Sequence, residues 1–149
     1  MLLLTGLLTS VACAPPPYDT SAPSPGISIT WPPAETEAMG CTVVTADVLN
    51  FEVIDPAETD GKPHEGQGHY HVVRKVTPPG YTMCTAPFCI ADFSDITTDQ
   101  QSELQAVLVG NDHQPLEDAD GQPIQSTILF SFKAGECALS GGGDSGATW

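Results

Sequence analysis

The sequence predicts an all-β fold, either an immunoglobulin-like or a cupredoxin-like β-sandwich of about seven short strands. Three observations predict this fold class. Runs rich in valine, isoleucine, threonine and aromatic residues recur at roughly 8–12-residue spacing. Clusters of glycine, proline, asparagine and aspartate, which are typical of turns, separate these runs. No segment repeats its apolar residues with the period of a convincing helix. We expect the sandwich to extend over residues 41–137.

The individual strands are predicted from the alternation of apolar and polar residues, which places one face of each strand in the core. In one run Leu104, Ala106 and Leu108 share a face, and in the last run Phe130 and Phe132 share a face. The predicted strands are residues 42–53, 68–76, 81–84, 89–93, 102–110 and 125–133, with residues 27–31 as a short edge strand.

The N-terminal segment, residues 1–12, is almost wholly apolar and precedes Cys13. A helix that spans a bilayer takes about 20 residues, so this segment is too short to span one and instead fits a signal peptide. Small residues before Cys13 resemble a bacterial lipoprotein cleavage box, in which that cysteine is lipidated. We therefore expect a protein of the bacterial cell envelope, lipid-anchored at the outer membrane or the cell surface. Plain secretion is the alternative.

Two further segments are predicted to lie outside the sandwich. Residues 13–40 are rich in proline, serine, threonine and alanine, a composition that forms an extended linker rather than a core. Residues 138–149 contain a run of three glycines and are predicted to be a flexible tail. The sequence thus predicts a signal peptide, a linker behind Cys13, one folded domain and a tail.

The charge of the chain limits its partners. Nineteen acidic residues stand against four basic ones, which gives a net charge of −15. Nucleic acid and anionic lipid both require clustered lysine and arginine, so neither is an expected partner. We expect contact with the membrane only through the lipid anchor, and a protein or cell-wall partner stays open.

The cysteines indicate disulfide bonds. With Cys13 assigned to the lipid, four cysteines remain, and four cysteines allow three pairings. Cys84 and Cys89 flank a short turn, while Cys41 and Cys137 open and close the predicted domain. We therefore predict Cys84–Cys89 and Cys41–Cys137, and hence an oxidising compartment. A structural zinc site is the alternative, although the spacing lacks a second close pair.

The histidines form the candidate site. His69 and His71 are two residues apart, so on a strand both rings project from the same face. His113 follows the strand 102–110 and would join them if that strand lies beside the histidine strand. His64 is a candidate fourth ligand. Imidazole is a common ligand of copper and zinc, so the pattern predicts a divalent transition-metal site.

Carboxylates near these histidines have an expected supporting role. Glu65 or Asp112 could complete the ligand set or hold a ligand ring in its tautomer. Because a ligating histidine must be neutral, we expect metal affinity to fall as the pH drops through about 6.5.

A reading without metal also fits these residues. The histidines could bond to loop backbone, with the Asp112 carboxylate capping a turn and the His113 ring packed on Pro115. The sandwich would then be a metal-free adhesion or assembly module. Catalysis is not predicted, because the sequence has neither a G-x-S-x-G nor an H-E-x-x-H motif. We expect no catalytic residues and no enzymatic activity.

Two motifs resemble a known group of proteins. Residues 66–72 read GQGHYHV and residues 111–116 read NDHQPL. The pair is similar to a family of bacterial extracytoplasmic domains that often occur as lipoproteins and have no established activity. The resemblance covers about residues 48–132. It implies importance for His69, His71, Asp112, His113 and Pro115.

Overall fold

Nine strands in two sheets make up this all-β protein, and its only other regular elements within residues 23–140 are two short 3₁₀ helices, Pro56–Glu58 and Ala138–Ser140. The computed structural model describes residues 23–140. The predicted signal peptide, the lipidation site Cys13 and most of the predicted tail lie outside the described residues. The sandwich-like, all-β prediction is confirmed.

The smaller sheet is antiparallel and has three strands. Their order across the sheet is β1 (Gly26–Trp31), β3 (Cys41–Leu49) and β7 (Phe88–Asp92). The larger sheet runs β2 (Thr36–Met39), β9 (Gln125–Lys133), β8 (Gln100–Val109), β5 (Gln67–Arg74) and β4 (Glu52–Val53). The strand β6 (Gly80–Cys84) also pairs with β5, so β5 lies inside the larger sheet.

The core lies between the inner faces of the two sheets. Three phenylalanines, Phe93, Phe130 and Phe132, contact one another edge-to-face with ring centroids 4.9–6.0 Å apart. Alternation along the strands places the remaining core residues, because every second side chain points inward. These include Val44, Ala46, Tyr70, Val72, Leu104, Ala106 and Leu108.

The start of the folded part lies earlier than predicted. The predicted linker contains β1, which pairs with β3, and β2, which pairs in parallel with β9. The edge strand predicted at residues 27–31 is therefore present, and β2 is an additional strand. Prolines precede both elements, which makes the local composition that of a linker, while β2 pairs with β9 more than 90 residues further along the chain. The two sheets therefore include strands that precede the predicted domain start at Cys41.

The predicted strand 42–53 is two strands in the structure. Asn50 has φ 53° and interrupts the strand between β3 and β4. Asparagine adopts this left-handed conformation more readily than most residues. The chain turns there and leaves the smaller sheet for the larger one. This division adds one strand and β2 adds another, so the structure has nine strands instead of about seven.

Both predicted disulfides are confirmed, Cys41–Cys137 and Cys84–Cys89. Disulfides persist in oxidising compartments, so the pairing indicates an extracellular or periplasmic protein. Within residues 23–140 there is no helix of sufficient length and apolar character to span a membrane.

Candidate metal centre

The histidine strand β5 presents its two histidine rings on the outer face of the larger sheet. Tyr70 lies between them in sequence and points the other way, where its side chain is fully buried in the core. His69 is also fully buried, whereas His71 is half-buried. The predicted placement of both histidines on one strand face is confirmed.

The neighbouring strand β8 brings the third histidine to the same place. Antiparallel pairing sets His69 opposite Val109, so the loop that follows β8 begins beside His69. Inside this loop the N–H of His113 donates to the carbonyl of Gly110 at 3.0 Å, and His113 has φ 60°. The turn folds the chain back and directs the exposed His113 ring at the two strand histidines.

A glycine permits this approach. A Cβ atom at position 68 would overlap with the carbonyl oxygen of Val109 and would lie 3.1 Å from the Cα atom of Gly110. Because Gly68 has no side chain, the loop packs directly on β5. The glycine before His69 therefore fixes how near His113 comes to the strand.

Three ring nitrogens converge. The Nε2 atom of His69 lies 3.2 Å from Nε2 of His71 and 3.2 Å from Nδ1 of His113. All three nitrogens lie within 4.8 Å of one another, so the group could hold a metal ion. The centroid of the His69 ring is 5.0 Å from that of His71 and 4.6 Å from that of His113.

Burial keeps the two strand histidines neutral. Desolvation, followed by the neighbouring His71 and His113 rings, lowers the pKa of His69 to about 4. Desolvation, followed by His113, also lowers the pKa of His71. Protons therefore compete with a metal ion for His69 only at a pH well below the value of about 6.5 that the sequence led us to expect. At neutral pH both rings carry a lone pair that a metal ion can accept.

The other predicted site residues lie elsewhere. His64 is half-exposed, and its Nε2 atom lies 3.0 Å from the carboxylate of Asp60, outside the three-histidine group. Glu65 is exposed in the same loop and is not part of the group. Asp112 accepts a hydrogen bond from the backbone N–H of Gln114 at 3.2 Å, which stabilises the turn that carries His113.

Two residues near the site were missed by the sequence reasoning. Tyr81 on β6 stacks on the His71 ring, with centroids 4.4 Å apart and planes 23° apart. Asp55 lies close enough for its carboxylate to act against the lowering of the His69 pKa. The sequence signal for Tyr81 is its place on a strand next to β5, which becomes readable only when the register of that pair is known.

The far side of the His69 ring has no hydrogen-bond partner within residues 23–140. Its Nδ1 atom is buried and unpaired among the described residues, as are both side-chain amide atoms of Asn111, in the loop that carries His113. Ligating histidines usually donate their second N–H to a carboxylate or carbonyl. The orientation of the His69 ring therefore depends on its contacts with His71 and His113 and on packing.

The chain was compared with known proteins. No family model, no curated protein and no solved structure matches it. The resemblance to bacterial extracytoplasmic domains therefore stays a prediction. The argument for a function depends only on the geometry of the histidines.

Proposed function

We propose that this protein binds a divalent transition metal through Nε2 of His69, Nε2 of His71 and Nδ1 of His113. The observation that supports the proposal most is that two ring nitrogens face Nε2 of His69 at 3.2 Å each. An imidazole nitrogen has one in-plane position, which carries either a proton or a lone pair. That single position can form a good hydrogen bond with only one neighbouring nitrogen. A metal ion, in contrast, can accept a lone pair from all three nitrogens.

The spacing also favours particular metals. With metal–nitrogen bonds of about 2.0–2.1 Å, nitrogens 3.2 Å apart subtend an angle of about 103° at the ion, near the tetrahedral value. Two of the three nitrogen pairs therefore suit zinc, and imidazole also binds copper. The ligand nitrogens of His71 and His113 lie within 4.8 Å of each other, and one ion with metal–nitrogen bonds of that length requires them to be no more than about 4.2 Å apart. Zinc or copper is therefore the metal proposed.

The cellular setting is proposed from the N-terminal sequence. Cys13 follows an apolar segment with small residues, so we expect it to be acylated and to hold the protein at the outer face of a bacterial membrane. The two disulfides are compatible with that compartment. Labelled fatty acid should enter the wild-type protein and not the Cys13→Ser variant. Equal labelling of both would exclude this anchor.

Calorimetric titration of the purified protein with Zn²⁺ and Cu²⁺ at pH 7.5 tests the site. We expect binding at micromolar or lower dissociation constants, weakened at least about tenfold in His69→Ala and in His113→Ala, because each change removes one ligand. His64→Ala is the matched control, since His64 faces Asp60 and should leave affinity unchanged. Absence of binding, or equal loss in the control, would contradict the proposal.

A second candidate function, a metal-free adhesion or assembly module, is favoured by a different surface. On the outer face of the smaller sheet, Trp31 is 51 % exposed and Phe88 is 61 % exposed. Thr45 pairs with both, so the two aromatic rings flank it in one row across the sheet. Aromatic side chains of this kind are frequent at protein interfaces. Failure of metal binding together with retained folding would make this the leading function.

A further inference from the structure

Beside the histidines, a groove of about 230 Å³ lies on the outer face of the larger sheet. His71 and His113 line one end of it, and Val73, Val107 and Pro115 form apolar walls. An apolar cavity of about 150 Å³ is enough to accept benzene. The groove is therefore large enough for a ring or a short hydrocarbon chain that carries one polar group.

Burial decides which side of a bound ion faces this groove. His69 is fully buried, while His71 is half-buried and His113 is exposed. An ion held by all three rings is covered from the side of His69. Three protein ligands leave a fourth position open on a tetrahedral metal. On an ion held in this way, that position would lie on the side of His71 and His113, which line the groove.

The charges around the groove select the kind of ligand. No aspartate or glutamate of residues 23–140 lines it, although the chain contains 19 acidic residues. One of the four basic residues, Lys75, does line it. Lys75 has no acidic partner within 4.0 Å in the described part of the chain. Glu103 lies nearby, where its carboxylate accepts a hydrogen bond from Gln105 at 2.9 Å.

We propose that the groove binds a small carboxylate with an apolar body. Its carboxylate takes the open position on the metal, and its apolar part lies against Val73, Val107 and Pro115. The ammonium group of Lys75, which lies two positions beyond Val73, adds long-range electrostatic attraction. Neutral imidazoles leave the ion with its full positive charge, which an anionic ligand balances. This inference rests on the proposed metal site and adds the class of its ligand.

Cobalt(II) gives a direct reading of the fourth position, because its visible absorption changes when a ligand enters the coordination sphere. Purified protein is loaded with Co²⁺ and titrated with benzoate, and separately with the neutral isostere benzamide. We expect benzoate to change the spectrum in a saturable manner and benzamide to leave it unchanged. Metal-free protein should bind neither compound.

Two matched lysine variants test the groove itself. Lys75→Gln should weaken benzoate binding by up to about twofold, because Lys75 is exposed and lies four strand residues, about 13 Å, from His71, and it should not change the affinity for Co²⁺. Lys62→Gln is the control, because Lys62 lies beside Asp60 at 3.5 Å and does not line the groove.

The outcomes separate the two claims. Binding of Co²⁺ with no benzoate response, equal responses to benzoate and benzamide, or equal effects of the two lysine variants would overturn the carboxylate proposal and leave the metal site in place. Absence of Co²⁺ binding would overturn both.

Discussion

The backbone of Gly68 packs so closely against the carbonyl group of Val109 that no side chain fits between the two strands at that point. A Cβ atom there would also lie 2.9 Å from the Cζ atom of Phe51, so the space is closed on two sides. The contact joins β5, which carries His69, to the loop that carries His113. The approach of the two histidines therefore depends on a residue that has no chemical function of its own.

Gly68→Ala should damage the metal site without removing a ligand. The added methyl group must displace the 110–113 loop or the strand, so we expect the free energy of unfolding to fall by about 1–3 kcal/mol. Metal affinity should fall at least about tenfold, because the His113 nitrogen moves away. Gly26→Ala is the control, since its Cβ would meet nothing nearer than 4.0 Å. Unchanged affinity in Gly68→Ala would show that the loop position is not critical.

The stability of the metal-free protein should depend on the protonation of His69. Its pKa is about 4 in the folded protein, whereas an unfolded chain has the ordinary value near 6.5. Between these values the unfolded chain binds a proton that the folded chain does not, so stability decreases as the pH falls from 6.5 towards 4. The loss is on the order of 2–3 kcal/mol for this group.

Urea unfolding in the presence of EDTA at pH 7.5 and pH 4.5 measures this effect. His69→Gln cannot titrate, so its loss of stability between the two pH values should be smaller than that of the wild type. Titration of the carboxylates is common to both proteins and cancels in the comparison. An identical pH dependence in wild type and variant would contradict the lowered pKa of His69.

The two disulfides should contribute unequally to stability. Cys41 and Cys137 are 96 residues apart, and the loop-entropy estimate gives about 4–5 kcal/mol for closing a loop of that size. Cys84 and Cys89 are five residues apart, for which the same estimate gives about 2 kcal/mol. Denaturant unfolding of the two double serine variants should rank them in this order. The reverse ranking would mean that the long loop is already constrained in the unfolded chain.

Tyr81 should act on the metal site through the position of His71. Its ring stacks on the imidazole at 4.4 Å, and aromatic pairs of this kind contribute about 0.5–1.5 kcal/mol. Tyr81→Ala should therefore weaken metal binding about two- to tenfold in a calorimetric titration, and Tyr81→Phe should preserve it. Equal losses in both variants would indicate that the hydroxyl group, rather than the stacked ring, is what matters.

Much of the fold could be predicted from alternation alone. The strand 125–133 was predicted with the bounds that β9 has in the structure, because Ile128, Phe130 and Phe132 mark a regular inner face. The strand β2 could not be predicted in this way. Its four residues, Thr36–Met39, are stabilised by parallel pairing with β9, nearly a hundred residues away in sequence. The composition of these four residues does not indicate that β9 is their partner strand.

The two strand histidines of the candidate site could be predicted from the sequence alone. The loop histidine could be predicted only on the condition that its strand lies beside theirs. A period of two places His69 and His71 on one face whatever the rest of the chain does. The position of His113 requires the pairing of β5 with β8 and the left-handed conformation at His113 itself, and neither is visible in a single motif. The position of His64 outside the group could not be predicted either, because it depends on a contact within its own loop, where the imidazole lies against the Asp60 carboxylate.

The start of β1 at Gly26 sets the length of chain between Cys13 and the first strand. If Cys13 is acylated, residues 14–25 are the whole tether, and a fully extended chain of that length reaches at most about 45 Å. The folded domain would then begin no further than that distance from the lipid headgroups. A protein so arranged would exchange metal in a thin layer next to the bilayer, and any partner that donates or receives the ion must come to that layer.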